Sequence, residues 1–138
     1  MSVDFADLIL KTYELFRSHT QILNYYTKRF KHIMVDEFQD TNLLQFKLLK
    51  LLNNDTGSLY AVGDDDQSIY GWRGALSKNI KSFTDQFTDV EIFKLEQNYR
   101  STNKILKVAN SLISHNKNRL GKELWTASER GETVKIFE

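Results

Sequence analysis

Leu59-Tyr60-Ala61-Val62-Gly63-Asp64-Asp65-Asp66-Gln67-Ser68-Ile69-Tyr70-Gly71-Trp72-Arg73-Gly74 is the stretch on which the reading of this chain turns. A short apolar run leads into a glycine, three carboxylates and a glutamine. Two aromatics flanking Gly71 follow, and then an arginine. The two ends carry different chemistry. A glutamine amide at the mouth of a strand can donate to a phosphate oxygen, whereas aromatic faces and a cation suit nucleic-acid bases.

Two further signals flank it. Upstream, the apolar Ile33-Met34-Val35 runs into Asp36-Glu37; downstream stands Leu95-Glu96-Gln97-Asn98-Tyr99-Arg100-Ser101. In open α/β sheets ligands gather at the carboxyl ends of strands, where Asp36 and Glu37 fall. Asp suits a hydrated Mg²⁺, which keeps its waters and takes one or two protein carboxylates. Glu, one bond longer, suits orienting and deprotonating a water. The competing reading is an acid pair that caps the next helix. Tyr70 and Trp72 have their own alternative, burial in a core, against which Gly71 and Gly74 argue because small residues leave neighbouring rings exposed. Asp64, Asp65 and Asp66 are expected to form a solvated loop or cap, since three consecutive carboxylates are not expected to face one ion. Arg100 could equally cap or pair on a surface.

Around these signals the pattern alternates. The runs 32–35, 59–62, 90–95 and 133–137 are β-rich. Phe5, Leu8, Ile9, Thr12, Leu15 and Phe16 recur at helical spacing, as do Leu44, Leu48, Leu51 and Leu52, and Ile105, Val108, Ala109, Leu112 and Ile113. Ser101 is the expected N-cap of the last helix, and Asn53–Gly57 turns the second back into a strand. Strands alternating with helices require crossovers and a mostly parallel sheet. The apolar 32–35 run is expected to be buried on both faces.

Composition narrows the class. With 138 residues, 41% hydrophobic and 27% charged, the chain is globular rather than disordered. It has no cysteine, which excludes disulfides and thiolate metal sites and fits a reducing interior. His19, His32 and His115 lack ligand spacing. No apolar run approaches the roughly 18 residues of a membrane span, so a cytoplasmic location is expected. The net charge of +1 conceals a shift: residues 1–97 carry 11 basic and 14 acidic side chains, residues 98–138 carry 8 and 4. That shift coincides with Gln97–Arg100 and places a domain junction there.

Taken in order, Val35-Asp36-Glu37-Phe38-Gln39-Asp40-Thr41-Asn42, Val62–Ala75 and Gln97–Ser101 resemble the Walker-B box and the third and fourth motifs of UvrD/Rep-type superfamily-one DNA helicases. Residues 118–126 set the resemblance nearer the UvrD side, in a structural role. The resemblance covers nearly all the chain. It implies an α/β P-loop NTPase (RecA-like) fold with a parallel sheet and flanking helices. It also implies ATP and Mg²⁺ as cofactors and single-stranded and duplex DNA as partners, with protein partners in repair or replication conceivable. By it Asp36 binds Mg²⁺ through water, Glu37 is the catalytic base, and Gln67 reads the γ-phosphate. Tyr70, Trp72 and Arg73 contact single-stranded DNA. Tyr99 stacks on adenine, and Arg100 reaches the γ-phosphate as a finger. Gln39 and Asp40 are supporting residues.

One element of such an enzyme is missing from the sequence. There is no Gly-x-x-x-x-Gly-Lys-Ser/Thr, and hence no loop to cradle phosphates. The later arginine- and glutamine-bearing motifs are missing too. The expected fold is therefore incomplete, lacking the Walker-A strand-loop-helix. Residues 1–97 are expected to be the later part of a first motor domain and 98–138 the start of a second. In full, such a protein would hydrolyse ATP, translocate on single strands and unwind duplex, while this chain alone would be inactive. A non-catalytic module binding single-stranded DNA or a partner, and part of a helicase–nuclease subunit, stand as alternatives.

Overall fold

A computed structural model describes residues 3–53, 57–75, 79–117, 119–129 and 131–137, with only the backbone at 79–82. The chain forms two compact units, 1–88 and 89–138. The division falls ahead of the junction expected at 97/98, because residues 89–96 gather with the later chain through the contacts of Lys94 and Glu96.

The first unit opens with two helices, α1 (Phe5–Ser18) and α2 (Thr20–Arg29). A reciprocal capping box starts α1: the Asp7 N–H donates to Asp4 Oδ1 at 2.8 Å and the Asp4 N–H to Asp7 Oδ2 at 3.2 Å. Its apolar stripe places Phe16 in the core, 6% exposed, against Tyr26 of α2 at 5.4 Å between ring centroids. Periodicity had not marked α2, whose register is set by Tyr26 packing between Phe16 and Phe30 rather than by a continuous apolar face.

Strand β1 (His32–Val35), helix α3 (Leu43–Leu52) and strand β2 (Ser58–Ala61) form a βαβ unit with a parallel two-stranded sheet. His32 pairs with Ser58, and the register runs through to Val35 opposite Ala61. β2 begins one residue earlier than the 59–62 run. The expectation that β1 is buried on both faces fails: its residues alternate exposed and half-buried, and Met34 is 77% exposed. Among the described residues the face of β1 that carries His32 and Met34 is left exposed. The acid pair does not cap α3. Asn42 does, accepting from the Gln45 N–H at 3.0 Å while its own N–H donates to Gln45 Oε1 at 2.9 Å. Of the 53–57 turn, residues 54–56 lie outside the described residues. Helix α4 (Asn79–Gln86) follows, also unmarked by periodicity. Phe83 and Phe87, in and just past it, complete an aromatic core with Phe38 and Phe46.

In the second unit, α5 (Asn103–Ile113) lies where its spacing predicts, with Leu106 buried. Its N-cap is Thr102 rather than Ser101, and the Thr102 side chain makes no capping bond. The Ser101 N–H is instead held by Asn98 Oδ1 at 2.7 Å, which carries Ser101 into the preceding turn. The runs 90–95 and 133–137 are not strands. Phe93, Leu95, Ile136 and Phe137 are all at least 79% exposed. β-branched and aromatic residues make a strand only when a partner edge meets them, and among the described residues of this unit the pairing is one parallel bridge, Gln97 with Trp125.

Candidate functional site

Asp36 and Glu37 stand exposed at the carboxyl end of β1. Asp36 Oδ1 accepts the Glu37 N–H at 2.9 Å. Glu37 adopts φ 49°, ψ 45°, a left-handed conformation that costs a non-glycine residue roughly 1–2 kcal/mol. The next residue holds it there. Phe38 opens a 3-10 turn (Phe38–Asp40) and is 2% exposed, its ring edge-on to Phe46 at 6.0 Å and Phe83 at 5.3 Å. Its N–H donates to the Val62 carbonyl at 2.9 Å, tying this turn to the chain leaving β2.

Gln39 is 4% exposed. Its Nε2 donates to Glu37 Oε2 at 2.6 Å, and its Oε1 accepts the Asp64 N–H at 2.9 Å. Asp64 in turn caps a second 3-10 turn (Asp65–Gln67), accepting from the Asp66 N–H at 3.1 Å and from Gln67 Nε2 at 2.7 Å. Glu37, Gln39, Asp64 and Gln67 thus form one hydrogen-bonded series across the ends of both strands. Gly63 allows this approach, since a Cβ there would lie 2.7 Å from Gln39 Oε1. The three carboxylates do converge, each offering an oxygen within 4.8 Å of the others. The 3-10 winding brings consecutive residues close enough for this, contrary to the expectation that the three would not face one ion. The expected capping role is nevertheless present in Asp64.

The aromatic end of the same loop is a third 3-10 turn (Gly71–Arg73), closed by Gly74 at φ 83°. Trp72 is 75% exposed and Tyr70 half-buried, with ring centroids 6.3 Å apart. The Arg73 Cζ lies 4.5 Å from the centroid of Trp72 and 5.2 Å from that of Tyr70. Trp72 is therefore no core residue. Just beyond, Ala75 is buried and bridges antiparallel to Asn42. The loop is consequently anchored twice to the chain after β1, at Asp64 and at Ala75, with the aromatic platform between.

Tyr99 and Arg100 belong to the second unit. The Asn98 N–H donates to the Trp125 carbonyl at 2.7 Å, and the Trp125 N–H to Glu96 at 3.0 Å. Asn98 Oδ1 accepts the Arg100 N–H at 2.9 Å, an Asx turn that sets both residues outward. Tyr99 is 87% exposed, its hydroxyl donating to Gln97 Oε1 at 2.9 Å. Asn110 of α5 holds Leu124 through both its backbone groups, which gives the 118–126 tail a structural contact.

The sequence named Gln39 as a supporting residue and Asp64 as part of a loop or cap, without showing that the two are bonded to each other. The available signal was the glycine before Asp64, which marks close approach by another group.

Comparison with known proteins supplies the affiliation. Residues 1–88 match the UvrD/REP helicase N-terminal domain and residues 93–138 the UvrD-like helicase C-terminal domain. Over 135 residues the chain is 56% identical to DNA helicase II of Haemophilus influenzae and 53% identical to that of Escherichia coli, covering 98% of this chain and 18% and 19% of those proteins. It is 49% identical over 137 residues to the ATP-dependent DNA helicase PcrA of Staphylococcus epidermidis, covering 99% of this chain and 19% of that protein. The chain thus spans about a fifth of the length of the curated relatives it matches. With both domain matches falling in the order of its own motifs, this chain belongs to the UvrD/REP helicase family.

Proposed function

We propose that residues 1–138 supply the hydrolytic and DNA-coupling elements of an ATP-dependent DNA helicase, one that moves on single strands and separates duplex. One observation carries the reading: a single anchored loop, 63–75, bears Gln67 at one end, in hydrogen-bonded series with Glu37, and at the other a platform of exposed Arg73 and Trp72 beside half-buried Tyr70. Such a loop brings a nucleotide-sensing amide and a base-stacking surface into one short, tethered segment. The family membership and the PcrA name support the substrate assignment.

In this reading Glu37 accepts a proton from the attacking water. Asp36 fits a hydrated Mg²⁺, offering a hard oxygen donor exposed at the end of β1. Bound there, the ion would offset charge on the transferred phosphoryl group. Gln67 donates to the γ-phosphate, exchanging its bond to Asp64 for one to the nucleotide. Tyr99 stacks on adenine, and Arg100 stabilises charge in the transition state. The finer architecture, a RecA-like pair of motor domains of which 1–97 and 98–138 are parts, belongs to the same proposal.

Function is tested in a chimera in which residues 1–138 replace the matching stretch of Staphylococcus epidermidis PcrA. DNA-stimulated ATP hydrolysis that Trp72→Ala uncouples from DNA, and Glu37→Gln removes, is the expected result. A chimera whose hydrolysis is indifferent to both substitutions refutes the reading.

A further inference from the structure

Gln39 has no reacting role in the proposed chemistry, yet both ends of its buried carboxamide are engaged. It is 4% exposed, with its donor on Glu37 Oε2 at 2.6 Å and its acceptor on the Asp64 N–H at 2.9 Å. A buried amide with both ends engaged is held in one orientation, because flipping it would set donor against donor and acceptor against acceptor. Its backbone is fixed as well, lying between Phe38 in the aromatic core and Thr41, 7% exposed. On the far side the fit is close: a Cβ on Gly63 would approach Gln39 Oε1 to 2.7 Å and the backbone nitrogens of Phe38 and Gln39 to 3.2 and 3.3 Å.

What the amide joins is specific. Glu37 is exposed, with little packing to hold its side chain, so the N–H from Gln39 restrains the rotation of its carboxylate. Asp64 orients Gln67 through the 2.7 Å bond to its Nε2. One side chain therefore connects the carboxylate proposed to activate water with the turn proposed to contact the γ-phosphate. We propose that Gln39 is a positioning residue that holds the Glu37 carboxylate in register with the Asp64–Gln67 turn, so that a displacement of that turn is transmitted to the base. This rests on the assignment of Glu37 and Gln67 made above.

Three substitutions separate the connection from its surroundings. Gln39→Met keeps the approximate volume and removes both hydrogen bonds. Gln39→Glu keeps an acceptor for the Asp64 N–H but replaces the donor facing Glu37 with a second carboxylate. Gly63→Ala leaves the Gln39 side chain chemically unchanged but displaces its Oε1 and crowds the backbone nitrogens of Phe38 and Gln39, at a position whose backbone lies outside the left-handed region.

In the PcrA chimera, the kcat and KM for ATP in DNA-stimulated hydrolysis are compared with thermal unfolding. The expected result is a fall in kcat of about 10- to 100-fold in all three variants, the size of a misplaced reacting group, with KM for ATP little changed. A role confined to packing would lower the unfolding temperature and spare the kcat of the folded fraction. Gly63→Ala carries the test if neither Gln39 variant folds. Parental kcat in folded Gln39→Met or Gly63→Ala overturns the inference while leaving the site assignment standing. Full activity in Glu37→Gln overturns both.

Discussion

The guanidinium of Arg73 lies over the ring of Trp72, 4.5 Å from its centroid, while Trp72 itself is 75% exposed. An exposed tryptophan held by a neighbouring cation is a preset stacking surface, because its orientation is fixed before a base arrives. In the PcrA chimera, Trp72→Ala is expected to weaken single-strand binding by about 1–3 kcal/mol with little dependence on sequence. Fluorescence titration with mixed-sequence and homopolymer strands measures this. Loss of the fold with unchanged affinity per folded molecule would return Trp72 to a structural role.

The base and the phosphate grip should separate in experiment. Glu37→Gln in the chimera is expected to leave ATP binding largely intact and to remove turnover, since a general base acts in the chemical step. Nucleotide affinity and phosphate release on the same samples distinguish the two. Residues 1–138 by themselves are expected not to turn over ATP, because they contain no phosphate-cradling Gly-x-x-x-x-Gly-Lys-Ser/Thr. DNA-stimulated release from the purified chain, sensitive to Glu37→Gln, would contradict that.

Arg100 follows an Asx turn that sets it outward. If it meets the γ-phosphate only in the transition state, Arg100→Ala should cost turnover far more than ground-state affinity. Arginine fingers contribute roughly 10³–10⁵ in rate. Lysine keeps the charge without the planar fork, so Arg100→Lys should restore little. Near-normal turnover in either variant would assign the role elsewhere.

Phe38 links stability to the site. It is 2% exposed, contacts Phe46 and Phe83, and follows directly on Glu37. Phe38→Ala is expected to destabilise by about 3–5 kcal/mol, a large share of a typical domain's stability. Phe38→Leu, which retains most of the apolar volume, should cost much less. Denaturant unfolding of the chain measures both, and an Ala variant as stable as the parent would show that the aromatic cluster is not the core.

The α3 cap gives a smaller test. Asn42→Ala removes the acceptor for the Gln45 N–H and should cost about 1 kcal/mol. Asn42→Asp keeps an acceptor for that N–H and should cost less. Equal losses for the two would mean that the Asn42 side chain does not stabilise α3 as an N-cap acceptor.

The sequence by itself determined the elements whose signals are local. The alternation Ile33–Val35 then Leu44–Leu52 then Leu59–Val62 points to a parallel βαβ unit, because parallel neighbours need a crossover connection of a dozen or more residues and a helix is its usual form. Gly71 and Gly74 already implied that Trp72 between them would be exposed. Tertiary structure alone decided matters that depend on a partner distant in sequence. Residues 90–95 and 133–137 have strand composition but meet no strand edge among the described residues; β1 has apolar residues, yet Met34 on one face is exposed; α2 and α4 take their register from rings on other elements. The same holds for Gln39. Nothing in a glutamine two residues past an acid pair reveals which groups its amide will meet. The 26-residue connection from Phe38 to Gly63 had to fold back before Glu37 and Asp64 could share one buried side chain. A hydrogen bond's direction is local chemistry, but its partner is chosen by the fold.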